Sequence, residues 1–325
     1  MRIVVTGGLG FIGVALARRL LGRGDVDGLV LFDASGAADP PADVAGQVEV
    51  VRGDVRDRGL VRGLLEGEGE VRVFHLASIV SAQGEQDFDL ALSVNLDGTR
   101  NVLEACRDLG SRPRLVFAST LAAFGGPEMP ATVGDTTKLT PETTYGATKA
   151  VCELLVSDYT RKGFLDGRSA RLPTVIIRPG AANPAASAFA SAVFREPLAG
   201  RDYVLPVRPE TRTPVIGVRT AVECLIRLSG CDGEAFGSDR SLNLPSISVT
   251  VAEMIDSLGR VAGDRATGAI EIRPDPEIER IVRTWPLRAS AERALALGLP
   301  QDGGLDEIVG AYLEEITRAA EPPPG

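Results

Sequence analysis

Two side chains able to move a proton stand four residues apart near the middle of the sequence. Tyr145 and Lys149 begin and end the segment YGATK, and a helix predicted just after Pro141 puts them on one face, one turn apart. A phenol with a pKa of about 10 is a poor base at neutral pH, and lowering that pKa by ~3 units requires ~4 kcal/mol of preferential phenolate stabilisation. A neighbouring ammonium provides part of this stabilisation. We therefore expect Tyr145 to act as acid and base with Lys149, whereas the alternative is a surface pair without a role.

Two adjacent hydroxyls end a strand predicted before this helix. The segment RLVFAST, residues 114–120, finishes with Ser119 and Thr120. Ligands of an open parallel sheet bind at the carboxyl edge of the strands, so either hydroxyl could hold the oxygen of a reacting group. The alternative is a capping or turn role for both.

A glycine-rich segment lies between the first predicted strand and an amphipathic helix. It reads TGGLGFIG, residues 6–13, and such glycines let the backbone approach a pyrophosphate at a helix N-terminus. Asp33 follows Gly13 by twenty residues, at the end of the next strand, where it can accept from the adenosine ribose hydroxyls and repel a 2′-phosphate. The pattern predicts NAD rather than NADP as cofactor, with Asp54 near the adenine; the alternative is an ordinary glycine turn with a strand-end aspartate.

Short β-rich runs alternate with helical patterns over the first 180 residues. Strands are predicted at 2–6, 29–33, 48–52, 71–77, 114–118 and 174–178, with helices at 11–22, 57–66, 86–109 and 143–163. This alternation predicts the α/β class, a Rossmann-like doubly wound parallel sheet with helices on both faces. Asn95 falls inside a helix despite its poor helix propensity, so its amide is expected to bridge backbone groups near the site.

The pattern becomes less regular beyond residue 180, where prolines interrupt short elements. Helical patterns return at 218–229, 250–261, 290–297 and 305–319. We expect a cofactor-binding domain over 1–180, to which the chain returns around 214–230, a smaller and mainly substrate-binding region over 181–320, and a frayed tail over 321–325.

Composition excludes several other classes of protein. The 325 residues carry a net charge of −9, so the basic face that nucleic acid requires is not expected. No run of ~18 apolar residues predicts a membrane span, and without a signal-peptide pattern the expected compartment is the cytoplasm. Four scattered cysteines predict reduced thiols. His75 is the only histidine, so no metal site is predicted, and we expect it to pack at a strand end rather than serve a Ser-His-Asp triad.

Taken together, these motifs resemble the extended short-chain dehydrogenase/reductase family, also called the NAD-dependent epimerase/dehydratase family. The resemblance rests on the glycine segment, Asp33, residues 53–55 (GDV), 75–78 (HLAS), Asn95 with 98–99 (GT), 119–120 (ST), and Tyr145 with Lys149. It implies that Tyr145 is the acid/base, that Lys149 contacts the nicotinamide ribose, that Thr120 orients the substrate, and that Ser119 lies beside the nicotinamide and contacts substrate. The cofactor-binding residues that we expect are Gly7, Gly10, Phe11, Ile12, Gly13, Asp33, Asp54, Val55, Leu76, Ala77, Ser78, Asn95, Ser119, Tyr145, Lys149 and Pro179.

The second half is similar to a narrower group, the D-erythronate dehydrogenases and related enzymes acting on four-carbon sugar acids. That similarity rests on residues 159–164 (YTRKGF), 171–174 (RLPT), 177–180 (IRPG), Asn183, 185–191 (AASAFAS), 195–200 (REPLAG) and 279–282 (ERIV). The group implies oxidation of the C2 hydroxyl of an aldonate such as D-erythronate. Its carboxylate needs a cationic or amide partner, and we expect Asn183 and Arg195; Arg178 is a third candidate, with a structural ion pair as the alternative.

Two other functions stay open at this point. A nucleotide-sugar epimerase or reductase of the same family would share all cofactor residues and differ beyond residue 180. A regulatory protein could keep the fold without catalysis, although intact Tyr145, Lys149 and Thr120 speak against it. Family resemblance also implies a homodimer formed through the predicted helices 86–109 and 143–163.

Overall fold

Twelve strands and twelve α-helices are found in the computed structural model, which describes residues 1–34, 36–67, 69–180 and 186–320. The strands are β1 (Arg2–Thr6), β2 (Gly28–Asp33), β3 (Glu49–Arg52), β4 (Val71–His75), β5 (Arg114–Thr120), β6 (Asp166–Leu172), β7 (Thr174–Ile176), β8 (Tyr203–Leu205), β9 (Arg212–Gly217), β10 (Ser241–Asn243), β11 (Ile247–Thr250) and β12 (Ile270–Ile272). The helices are α1 (Phe11–Leu21), α2 (Arg58–Leu65), α3 (Ser81–Gln86), α4 (Phe88–Ala91), α5 (Gly98–Leu109), α6 (Thr144–Arg161), α7 (Phe189–Leu198), α8 (Val218–Gly230), α9 (Val251–Ala262), α10 (Pro276–Val282), α11 (Glu292–Ala296) and α12 (Leu305–Ala320). A π-helical segment, Leu92–Asp97, joins α4 to α5.

Seven strands form one parallel sheet in the order β10-β6-β5-β4-β1-β2-β3. Every neighbouring pair within it is parallel. The order reverses between β1 and β4, which is the switch point at which such sheets bind ligands beyond their carboxyl ends. The predicted Rossmann-like, doubly wound parallel sheet is confirmed.

Helices cover both faces of this sheet, because its interior strands are apolar on both sides. On one face α1 packs against α8, and their buried side chains share a core with Ile3, Val5 and Leu31. On the other face α2, α5 and α6 bury a further layer of apolar side chains against Val4, Val73 and other strand residues. The sheet is therefore a rigid platform whose carboxyl edge stays open between the two layers.

The strand predicted at 174–178 is wrong as a member of this sheet. The strand beside β5 is β6, and Thr174–Ile176 instead pairs with β9 in a three-stranded sheet of order β11-β9-β7. Sequence pattern missed β6 because it carries Arg168, Ser169 and Arg171, all buried. The two arginines are compensated by Asp166 and Glu153, respectively, so polar side chains occupy positions that usually read as apolar.

The C-terminal half builds a second core and also returns to the main sheet. Residues of α7, α9, α12 and β9 bury the second core, which includes Phe189, Phe194 and Met254. The chain returns first with α8, which lies on α1, and again with β10, which extends the sheet beside β6; the second return was not anticipated. Within the described ranges, none of the helices is both long and apolar enough to cross a membrane.

Candidate active site

A cavity of about 770 Å³ opens at the carboxyl edge of the main sheet. It is lined by the loops after β1 to β5, by the start of α6 and by residues of the second core region. The structure brings these sequence-predicted residues together in its lining: Gly7, Gly10, Phe11, Ile12, Gly13, Asp33, Asp54, Val55, Leu76, Ala77, Ser78, Ser119, Thr120, Tyr145, Lys149 and Arg195. Asn95 and Pro179 do not line it, and Asn183 lies outside the described residues.

The glycine loop after β1 forms a backbone cradle that side chains would fill. Gly7 has φ of 70°, and a Cβ there would lie 2.7 Å from the Ala77 backbone nitrogen. A Cβ on Gly13 would lie 2.5 Å from the Gly7 carbonyl oxygen. Gly10 caps α1 without a side-chain hydrogen bond, which leaves the first-turn N–H groups of that helix for a ligand. This cradle fits the pyrophosphate of a dinucleotide.

Asp33 ends β2 and is fixed by two backbone donors. Its Oδ2 accepts from the Leu9 N–H at 2.8 Å and its Oδ1 from the Ala34 N–H at 2.8 Å. The first of these bonds ties the carboxylate to the glycine loop. A carboxylate held beside the cradle suits ribose hydroxyls and disfavours a phosphate in their place.

Asn95 braces one wall of the cavity from behind. It lies in the π-helical segment and is buried, with its Oδ1 accepting from the Ile79 N–H at 2.7 Å and its Nδ2 donating to the Ile79 carbonyl at 3.1 Å. Its Oδ1 also accepts from Ser78, and its Nδ2 also donates to Thr148 on α6. The amide thus bridges backbone groups, as its position in the sequence predicted, and connects the loop after β4 to α6.

Tyr145, Lys149 and Thr120 converge at the floor of the cavity. Thr143 caps α6 by accepting from the Gly146 N–H, which places Tyr145 in the first turn and Lys149 one turn later. The Lys149 ammonium lies 5.7 Å from the centre of the Tyr145 ring and donates to the Ala118 carbonyl at 2.8 Å. The Thr120 hydroxyl accepts from the Ala122 N–H, so its own proton remains available to the Tyr145 phenol, whose pKa Thr120 lowers.

The pKa values of this pair move in opposite directions. Desolvation raises the pKa of Tyr145 to about 12, and the hydrogen bond from Thr120 opposes that rise. Desolvation lowers the pKa of Lys149 to about 8, against the attraction of Cys152 and Glu153. Bringing the phenol from about 12 to about 8 requires about 5 kcal/mol of phenolate stabilisation. The site therefore needs a further positive charge beside the phenol before Tyr145 can act as a base.

A buried ion pair that sequence patterns missed lies behind Ser119. Ser119 donates to Glu153, and Arg171 of β6 binds both oxygens of the same carboxylate at 2.7–3.0 Å. Glu153 and Arg171 are nearly fully buried. The available signal was the spacing of Glu153, one further turn after Lys149 on the same helix. Since the Ser119 proton goes to Glu153, its lone pairs remain for a donor in the cavity.

His75 has no free nitrogen for catalysis. It is fully buried, with Nδ1 at 2.6 Å from the Thr6 hydroxyl and Nε2 at 2.9 Å from the Thr99 hydroxyl. Because Thr99 donates to the Asn95 carbonyl, it accepts from Nε2–H, and Nδ1 accepts from Thr6. A neutral imidazole satisfies both partners, so His75 connects β4 to β1 and α5.

The side of the cavity formed by the second core region carries three further nitrogen donors: Arg178, Arg195 and Trp285, which we call the donor wall. Trp285 was missed from the sequence, since only the fold brings it to the cavity; its being the single tryptophan was the sole signal. The structural ion pair considered for Arg178 is not found, because none of the described carboxylates lies within 4.0 Å of it.

Comparison with known protein families identifies the family to which a chain with this site belongs. The profile of the NAD dependent epimerase/dehydratase family matches residues 3–227. The chain belongs to this family. The family's description names NAD, which confirms the predicted cofactor and agrees with the glycine cradle and the Asp33 carboxylate beside it.

Similar proteins extend over nearly the whole chain. D-erythronate dehydrogenase of Cupriavidus necator is 46% identical over 324 residues, which cover 97% of this chain and 98% of that protein. D-erythronate dehydrogenase of Haemophilus influenzae is 41% identical over 316 residues, covering 97% and 99%. A crystal structure of a nucleoside-diphosphate-sugar epimerase from Agrobacterium tumefaciens is similar with a TM-score of 0.89 and 38% identity, covering 98% of this chain and 95% of that one. The resemblance to the D-erythronate dehydrogenase group is thereby confirmed.

Proposed function

We propose that the protein is an NAD-dependent dehydrogenase that oxidises the C2 hydroxyl of a four-carbon sugar acid, converting D-erythronate to 2-dehydro-D-erythronate. The observation that carries the proposal is the similarity to two D-erythronate dehydrogenases, 46% and 41% identical to this chain over nearly its full length. The meeting of Tyr145, Lys149 and Thr120 beside the glycine cradle supports it.

In this reaction the chain's own residues orient and deprotonate the substrate. Thr120 and Ser119 hold the C2 hydroxyl next to Tyr145, and the phenolate of Tyr145 takes its proton. Lys149 stabilises the phenolate by its charge. It also contacts the nicotinamide ribose. NAD, when bound, accepts the hydride from C2 and places a positive charge near the phenol. That positive charge stabilises the phenolate and so counteracts the raised pKa of Tyr145.

We further propose that residues 1–180 form a cofactor-binding part, to which the chain returns around 214–230, and that residues 181–320 mainly bind substrate. Arg195, on α7, faces the cavity from the second part. The cytoplasm remains the proposed location, because Cys106, Cys152, Cys224 and Cys231 are all free thiols, as expected in a reducing compartment.

A homodimer is also part of the proposal. Phe88 of α4 is 58% exposed, and Val151 and Leu154 of α6 are 43% and 70% exposed. These large apolar side chains lie on the two helical regions that the family resemblance places at a subunit interface. Burying them between two copies would remove their apolar surface from water.

The deciding experiment measures NADH formation by absorbance with purified protein, NAD and a panel of substrates. The panel holds D-erythronate, L-threonate, their four-carbon isomers and UDP-sugars. We expect the highest kcat/KM with D-erythronate. No NADH from any aldonate, together with conversion of a UDP-sugar followed by separating the sugar products because epimerisation forms no net NADH, would refute the proposal. That result would favour the nucleotide-sugar hypothesis, in keeping with the name of the Agrobacterium structure.

A further inference from the structure

The donor wall contains buried N–H groups that have no acceptor among the described residues. They are Nε and one terminal nitrogen of Arg178, one terminal nitrogen of Arg195, and Nε1 of Trp285. All three residues line the same cavity as Tyr145 and Thr120. An unmade hydrogen bond from a buried donor is costly, most of all for a charged group. Donors gathered without acceptors therefore indicate a ligand that accepts.

Arg178 is the least compensated charge of the wall. Its guanidinium lies 5.3 Å from the centre of the Phe11 ring, so an aromatic face holds it in place. Burial and the neighbouring Arg195 lower the pKa of Arg178. When two guanidinium groups lose contact with water and repel each other, an anion bound beside both of them stabilises them.

Arg195 is fixed in place but only partly satisfied. It is 4% exposed, its Nε donates to Glu196 at 2.7 Å, and one terminal nitrogen donates to the Arg178 carbonyl at 3.1 Å. Glu196 also binds Arg201 at 2.8 Å. One carboxylate thus serves two arginines while Arg178 has none among the residues that the structure describes, which leaves the wall with excess positive charge beside the reacting groups.

We propose that Arg178, Arg195 and Trp285 form the subsite that binds the carboxylate of the substrate. The inference rests on the proposed function and names the residues that recognise the acid end. Arg178 has an unpaired N–H on each of two edges of its guanidinium, and Arg195 and Trp285 each have one unpaired N–H, so charged and neutral donors for a carboxylate lie in one wall of the cavity. Sequence reasoning named Arg195 and, as a third candidate, Arg178; the structure makes Arg178 the main charge and adds Trp285 as a neutral donor.

The test compares Arg178→Gln, Arg178→Lys and Trp285→Phe with wild-type enzyme. Arg283→Gln is the matched control, because Arg283 lies two residues from Trp285, is exposed and stands outside the cavity. For each protein, KM and kcat for D-erythronate and the dissociation constant of NAD are measured. We expect Arg178→Gln to raise KM about tenfold to a hundredfold with little change in kcat, since the lost contact serves substrate and transition state alike. Arg178→Lys and Trp285→Phe should raise KM by about three- to tenfold, and Arg283→Gln should match wild type.

Other outcomes overturn the inference. An unchanged KM in Arg178→Gln would do so, and so would a parallel loss of NAD affinity, because the anion would then be the pyrophosphate of the dinucleotide. Should Arg178→Gln fail to fold, unchanged KM values in Arg178→Lys and Trp285→Phe would be equally decisive against it.

A calorimetric titration separates failure of the subsite from failure of the proposed function. If wild type oxidises no aldonate, the NAD complex is titrated with D-erythronate, L-threonate and the neutral polyol erythritol. Binding of the acids but not of erythritol, lost in Arg178→Gln, would keep the subsite while refuting the proposed activity. Absence of acid binding would refute both.

Discussion

The buried histidine provides a quantitative prediction about acid stability. Burial and the charge of Lys149 lower the pKa of His75 from 6.5 to about 3. The unfolded chain therefore takes up a proton below about pH 6.5, whereas the folded chain keeps a neutral imidazole until about pH 3. Unfolding binds a proton throughout this window, so the free energy of unfolding falls as the pH falls. At one pKa unit per 1.36 kcal/mol, the full loss is about 5 kcal/mol, of which about 3 kcal/mol arises between pH 6.5 and pH 4.5.

Urea denaturation at pH 7.5 and pH 4.5 measures this loss. His75→Gln is the comparison, because its amide is uncharged at both pH values while the acidic groups of the two proteins are the same. We expect wild type to lose about 2–3 kcal/mol more than His75→Gln between the two pH values. At pH 7.5 the variant should be the less stable protein, since the bonds to Thr6 and Thr99 are altered. Equal losses in both proteins would refute the neutral, buried assignment of His75.

Three further predictions follow from the site and its supports. Asp33→Ala should raise the KM for NAD at least about tenfold and reduce the preference for NAD over NADP, because it removes the carboxylate that we expect to accept from the ribose hydroxyls. Unchanged initial rates with both cofactors would contradict this prediction. Glu153→Gln should lower the free energy of unfolding by about 3–5 kcal/mol, since it leaves Arg171 buried without its partner. The control Glu66→Gln, in an exposed pair, should change it by less than about 1 kcal/mol. Similar denaturation midpoints for the two variants would argue against a buried pair. Leu154→Glu should convert a dimer to a monomer, as measured by light scattering. A wild-type mass near the 34.1 kDa of one chain would show that no dimer forms.

The main sheet could be predicted from sequence because its strands obey the simplest patterns. Strands β1, β2 and β4 are short apolar runs, and each is followed by a chemically distinctive residue or a helix. Strand β6 could not be predicted in this way, since Arg168 and Arg171 are buried through partners distant in the sequence. Strand β10 is three residues long and pairs with β6 across about seventy positions of chain.

The candidate site shows the same division. The glycine loop, Asp33, Tyr145 and Lys149 could be found because their chemistry depends on local spacing, which the sequence displays. The donor wall depends on tertiary structure: Trp285 reaches the cavity only through the packing of the second core. That Arg178 has no acid partner in the described part of the chain is likewise a property of the folded surroundings.

The central claim, that Tyr145 performs acid/base chemistry in an NAD-dependent oxidation of D-erythronate, is tested most directly by one comparison. NADH formation from NAD and D-erythronate is followed by absorbance for wild type and for Tyr145→Phe, with NAD binding measured in both. We predict turnover by wild type and a fall in kcat of about 10²–10⁴-fold or more in the variant, with NAD affinity within about threefold. Near-normal turnover by Tyr145→Phe, or no NADH from wild type, would contradict the account.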